Sequence, residues 1–147
     1  MSRVRRGRWV ALEGGDGTGK STQARLLAGA LGAVCTREPG GTAIGSRIRS
    51  LVLDAGAAEL DHRAEALLLA ADRAQHVAEV VGPALARGDD VVSDRSAWSA
   101  LAYQGAGRGL GVEVVRSVCD WASGGLWPDL VVLLDLAPEV AFARLGR

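Results

Sequence analysis

Gly14-Gly15-Asp16-Gly17-Thr18-Gly19-Lys20-Ser21 sets two glycines, a lysine and a serine at the spacing of a phosphate-cradling loop. The flanks fit. Trp9-Val10-Ala11-Leu12 is a short apolar run suited to a buried strand, and Ser21 opens a helical pattern, so strand, loop and helix follow in the order the motif needs. Glycines let the backbone approach an anion closely, so N–H groups from Gly15 to Ser21 can point inward, reinforced by the positive end of the helix. Lys20 would place a point charge on the β- and γ-phosphates, and the Ser21 hydroxyl would ligate Mg²⁺. The segment therefore points to a grip on a nucleoside polyphosphate.

With 147 residues and 48% hydrophobic content, residues 1–147 read as one domain with a real core. Zero net charge supplies no field for nucleic acid or an anionic membrane. Arg3, Arg5, Arg6 and Arg8 form a basic N-terminal patch, read as a solvated tail. The apolar run before Glu13 is too short for a secretory signal, and no stretch approaches membrane-spanning length, so a cytosolic protein is expected. Cys35 and Cys119 lack metal-binding companions and read as buried free thiols, while His62 and His76 are too few for a histidine-based metal centre.

Outward from the loop, Ala24, Leu27, Ala28 and Leu31 keep helical spacing before Gly32, which predicts a helix over 19–31. Strands are expected at 33–36, 90–94 and 130–134, with a helix marked by Ile44, Ile48, Leu51 and Val52. Leu67, Ala71, Ala74, Ala78, Val81 and Leu85 place an apolar face on a helix over 61–87, kinked or divided by Pro83. Alternating strands and helices predict an α/β, P-loop three-layer α/β/α fold around a mainly parallel sheet, whose ligands sit outside the carboxyl ends of the strands. Residues 13–19, 37–41, 94–95 and 135 share that rim.

An acidic residue closing a strand near the loop is the expected Mg²⁺ partner, and Asp94 and Asp135 both qualify. Asp94 is preferred because Arg95 follows and could grip a second phosphate bidentately; Asp135, just before Pro138, suits helix capping. A kinase needs a second anion pocket rich in arginine, and Arg37, Arg49, Arg73 and Arg95 fall around the rim.

Four blocks then resemble the bacterial thymidylate kinases, the dTMP kinases of the P-loop nucleoside monophosphate kinase group. They are Leu12-Glu13-Gly14 through Gln23; Thr36 through Thr42 with Arg49 through Asp54; Asp72-Arg73-Ala74-Gln75; and Asp94-Arg95 with Ser99 and Ala102-Tyr103-Gln104-Gly105. The resemblance implies transfer of the ATP γ-phosphoryl group to dTMP, giving dTDP and ADP with Mg²⁺ held by Ser21 and Asp94. ATP would be bound by Gly14, Gly15, Asp16, Gly17, Thr18, Gly19, Lys20, Ser21 and Thr22. Asp16 would lie beside the acceptor sugar and phosphate, Arg73 on the thymine ring, and Arg95, Arg37 and Arg49 around the acceptor phosphate. Tyr103 would pack on the deoxyribose, with Gln104 and Ser99 at the base pocket; Lys20, Arg95, Asp94 and Asp16 are the catalytic candidates.

Two positions depart from the family pattern. Leu69 stands where an aromatic ring commonly stacks on thymine, leaving apolar contact only, and Ser96 stands where a ring usually follows Asp-Arg, which places local packing in question. The resemblance also implies that the chain stops at the start of a mobile, arginine-bearing lid, without the last strand and C-terminal helices. Family members are typically homodimers, which makes 61–87 the candidate interface. Two alternatives stay open: another P-loop deoxynucleotide or nucleoside kinase, and a non-catalytic nucleotide-binding fragment.

Overall fold

A computed structural model describes residues 5–53 and 60–146; Arg3, Asp54 and Arg147 fall outside them. Four strands form one sheet in the order β2-β3-β1-β4, comprising β1 (Trp9–Glu13), β2 (Val34–Arg37), β3 (Val91–Asp94) and β4 (Leu130–Leu133). Every pairing is parallel. The expected α/β architecture is present.

The sheet is covered on both faces, as the adjacent residues Val91 and Val92 demonstrate. Side chains alternate across a strand. Val91 packs with Trp9, Val81, Ala84 and Leu85, whereas Val92 packs with Leu12, Ala24 and Ala28 of α1 (Lys20–Leu31). A third cluster, Ala97, Ala100, Leu101, Val115 and Cys119, binds α5 (Ala97–Ala100) and the π-helical turn after it to α6 (Val112–Ser123).

Helix α2 (Ala43–Leu53) follows the β2 turn. The predicted helix over 61–87 is divided: α3 (His62–His76), a π-helical stretch Val77–Val81, and α4 (Gly82–Arg87). The change of winding lies just ahead of Pro83, where the Gly82 N–H reaches back to the Val77 carbonyl. The apolar stripe is corrected too. Val81 and Leu85 are core, but Leu67, Ala71 and Ala78 are exposed, and α3 instead buries Glu65, Asp72, Arg73 and His76. Polar groups are buried there because the site lies beneath them.

Other expectations are also revised. Arg6 pairs with Asp129 at 3.1 Å and Arg8 with Asp90 at 2.6 Å, so this end of the patch is tied to the sheet rather than frayed. Arg8 holds the Asp90 carboxyl down at about 2 through hydrogen bonds from its guanidinium and backbone N–H. Asp135 caps nothing: the N-cap of α7 (Pro138–Arg144) is Ala137, without a side-chain hydrogen bond. Of the two free thiols, Cys119 is buried as expected and Cys35 is exposed.

Candidate active site

Parallel register brings the functional loops together. Cα partners Arg37 and Asp94, Leu12 and Asp94, and Glu13 and Leu133 align the carboxyl ends of all four strands. The phosphate loop leaves β1 there, and Gly14 and Gly17 adopt positive φ values of 142° and 81°. Both positions exclude a side chain: a Cβ on Gly14 would come within 2.5 Å of the Leu134 carbonyl oxygen, and one on Gly17 within 2.4 Å of the Ala141 carbonyl oxygen. Gly19, at φ 95°, turns the chain into α1 as its N-cap. Thr18 Oγ1 closes the loop on the Gly15 carbonyl at 2.9 Å.

Lys20 is buried at the start of α1, its Nζ donating to the Gly15 carbonyl at 2.6 Å and lying 4.0 Å from Asp16. Burial, reinforced by the neighbouring Arg95, lowers its ammonium pKa below the ordinary lysine value. The Ser21 hydroxyl donates to Asp94 Oδ2 at 2.5 Å, while Asp94 Oδ1 is buried with no hydrogen-bond partner among the described residues. A buried, unpartnered carboxylate oxygen beside a serine hydroxyl suits a divalent cation that completes its shell from phosphate and water.

Arg95 takes φ 71°, a left-handed conformation rare outside glycine, with its N–H held by the Leu12 carbonyl at 2.9 Å. From there its guanidinium reaches Asp16 at 2.6 Å and Ser99 Oγ at 2.9 Å, and lies 5.2 Å from the Tyr103 ring centroid. Asp16, Arg95, Ser99 and Tyr103 are thus one constellation. Arg37 and Arg49 hold the turn between β2 and α2, Arg37 Nε donating to the Gly40 carbonyl at 3.3 Å and Arg49 to the Pro39 carbonyl at 3.0 Å.

These residues border two adjoining cavities. One, about 470 Å³, lies over Lys20, Ser21, Arg37 and Asp94. The other, about 500 Å³, is lined by Leu69, Arg73, Ser99, Tyr103 and Gln104. Asp16, Glu38, Arg49 and Arg95 belong to the walls of both.

Several predicted ligands are partly engaged by the protein itself. Arg73 is buried, donates from Nε to Glu38 Oε2 at 3.0 Å and touches Cys119 Sγ at 3.2 Å. Gln104 donates to Glu65 at 2.7 Å, and Ser99 donates to Glu13 at 2.6 Å. Ser96, where a ring was expected, is buried, donates to Glu13 at 2.7 Å and caps α5.

Sequence reasoning missed the carboxylates that hold these groups. Glu38, fully buried, accepts from Arg73 and sits 2.8 Å from His76 Nδ1. Burial alone would raise its pKa, but Arg73 and His76 outweigh that and depress it. His76 in turn meets Thr36 Oγ1 at 2.7 Å. Glu65 holds Gln104 and Arg108, and Asp72 accepts the Gly40 N–H at 2.9 Å. Burial raises the Asp72 carboxyl. The available signal was the position of Glu13 at the end of an apolar strand and of Glu38 directly after β2, where a carboxylate is costly to bury unpaired.

Residues 12–147 match the family model described as thymidylate kinase. The chain is 55% identical to a thymidylate kinase of Leifsonia xyli subsp. xyli, the match covering 97% of this chain and 70% of that one. It is 52% identical to one from Bifidobacterium longum, over 95% of this chain and 71% of that one. The crystal structure of thymidylate kinase from Ehrlichia chaffeensis superposes with a TM-score of 0.83 at 32% identity, covering 95% of this chain and 76% of that chain. A relative sharing over half its residues and a solved structure with the same fold agree with the site: this chain belongs to the thymidylate kinase family.

Proposed function

We propose that the chain transfers the γ-phosphoryl group of ATP to dTMP, giving dTDP and ADP. The observation that carries this reading is the pair of adjoining cavities whose common wall is Asp16, Glu38, Arg49 and Arg95. The cavity over Lys20 and Ser21 takes the donor phosphates; the one lined by Leu69, Arg73, Tyr103 and Gln104 takes the thymidine. The acceptor phosphate then lies at the shared wall, where one of its oxygens attacks the γ-phosphorus as the bond to the β-bridging oxygen breaks.

Such a transfer rests on alignment and charge neutralisation more than on a general base. Lys20 bears on the donor phosphates, and Arg95 spans donor and acceptor from its fixed left-handed backbone. Arg37 and Arg49 close the acceptor phosphate pocket. Mg²⁺ held by Ser21 and Asp94 would neutralise charge across the β- and γ-phosphates when bound. Arg73, held by Glu38 at the cavity wall, faces the base, and Leu69 packs on it without stacking.

The partners in this reading are ATP, dTMP and a second copy of the chain, in a cytosolic setting, with no nucleic acid or membrane engaged. Among the described residues no helix is long and apolar enough to cross a membrane. ADP release should be measured with dTMP, dUMP, dGMP and CMP as acceptors. Faster turnover per unit concentration with dTMP than with the other three is expected; preference for another acceptor overturns the substrate assignment.

A further inference from the structure

Resting on that reading, we propose that Glu13 is a positioning residue, acting through the Ser99 hydroxyl to fix the Arg95 guanidinium on the acceptor phosphate. Glu13 ends β1 and is 6% exposed. Its two oxygens have separate partners: Ser96 Oγ donates to Oε1 at 2.7 Å and Ser99 Oγ donates to Oε2 at 2.6 Å. A serine hydroxyl has one proton. With that proton committed to Glu13, Ser99 Oγ offers only lone pairs on its other side, where Arg95 Nη1 donates at 2.9 Å. Because the guanidinium can only donate, Ser99 must accept from it, and the carboxylate fixes the hydroxyl rotor so that a lone pair stays aimed at the arginine.

Arg95 needs such a restraint. Its backbone at φ 71° persists only where the surroundings over-determine it. The competing tie, to Asp16, is on a side chain 75% exposed and is screened by water. The Glu13–Ser99 arm is the buried one. Ser96 strengthens it by occupying the other carboxylate oxygen, so Glu13 cannot rotate without losing two short hydrogen bonds. A neutral glutamine presents one acceptor and one donor, so one of the two serines must turn its proton away, and the charged acceptor that orients the Ser99 hydroxyl is lost.

The test is calorimetry on the whole chain, titrating each monophosphate against its own nucleoside. Glu13→Gln should weaken dTMP by about tenfold, the size of one charge-assisted hydrogen bond, and leave thymidine within about twofold, because Arg95 addresses the phosphate. Ser99→Ala should reproduce the loss, and the double variant should bind dTMP no more weakly than Ser99→Ala, since both act along one path. Equal losses for dTMP and thymidine, additive losses in the double variant, or unchanged dTMP affinity overturn the relay. Should Glu13→Gln fail to fold by thermal melting, Ser99→Ala carries the decision by the same dTMP-to-thymidine comparison. A different monophosphate that binds more tightly than dTMP and shows the same Glu13 dependence would sink the dTMP assignment and leave the relay standing.

Discussion

At the scale of single residues, the site is built from buried carboxylates that hold cations in place. Glu38 is the clearest, since Arg73 and His76 both converge on it and none of the three is more than 5% exposed. Glu38→Gln should destabilise the fold by about 3–5 kcal/mol, because it leaves the Arg73 charge buried and unpaired. The pH dependence has a defined sign. Because the folded-state pKa of Glu38 lies below its ordinary value, its stabilisation is full above the carboxylate range and is lost as pH falls through the folded value. Urea midpoints from pH 7 downward should therefore fall more steeply for the parent than for Glu38→Gln. Leu69 carries a second expectation. It lines the cavity proposed to take the thymidine and offers no ring to stack, so Leu69→Phe should tighten dTMP by about 1–3 kcal/mol, read by calorimetry, with ATP affinity unchanged. The phosphate loop, Asp94 and Arg95 were legible in the sequence because their chemistry is carried by residue type at fixed spacing. Glu13, Glu38 and Glu65 were not, because a glutamate's role here depends on which distant serine, arginine or glutamine the fold brings to it.

At the scale of elements, the site depends on how closely α2 approaches α3. Gly45 on α2 lies against Asp72 on α3, where an added Cβ would come within 2.3 Å of Asp72 Oδ1. Asp72 Oδ1 in turn holds the Gly40 N–H, so the turn that Arg37 and Arg49 brace is fixed by the same carboxylate. Gly45→Ala should push the helices apart, lower stability by about 1–3 kcal/mol and weaken dTMP more than ATP. Denaturant titration and paired calorimetry separate the two effects; equal losses for both nucleotides would indicate general loosening instead. Element identities were readable from periodicity, which placed every strand of the sheet within one residue or so. The division at Val77–Val81 was half legible: Pro83 signalled a break, but the wider turn that absorbs it comes from packing of Val81 and Leu85 on the sheet. The orientation of the α3 stripe was not legible at all, since counting apolar residues cannot tell which face a buried Glu38–Arg73 pair will claim.

For the whole molecule, that misplaced stripe has a consequence. Leu67, Val114 and Trp121 are 61%, 63% and 84% exposed, and a groove of about 250 Å³ between α3 and α6 is lined by Ala66, Leu67, Leu110, Val114, Val115 and Val118. A helix face this apolar is seldom left in water. Two copies meeting through α3 and α6 would cover it, and the interface would sit directly behind Arg73 and Gln104, because Gln104 itself and Cys119, which Arg73 contacts, line the groove. Dimerisation would then brace the cavity lined by Arg73 and Gln104 from outside. Sedimentation of the parent chain should show a dimer, and Leu67→Glu with Val114→Glu should give a monomer by placing like charges on the shared face. The melting temperature should rise with protein concentration for the parent and not for the double variant, because association stabilises only the folded state. With that bracing lost, the monomer should also bind dTMP more weakly, while ATP affinity, expected to depend on Lys20 and Ser21, should be unchanged. A parent chain that sediments as a monomer at every concentration would mean that the groove is covered by something other than a second copy.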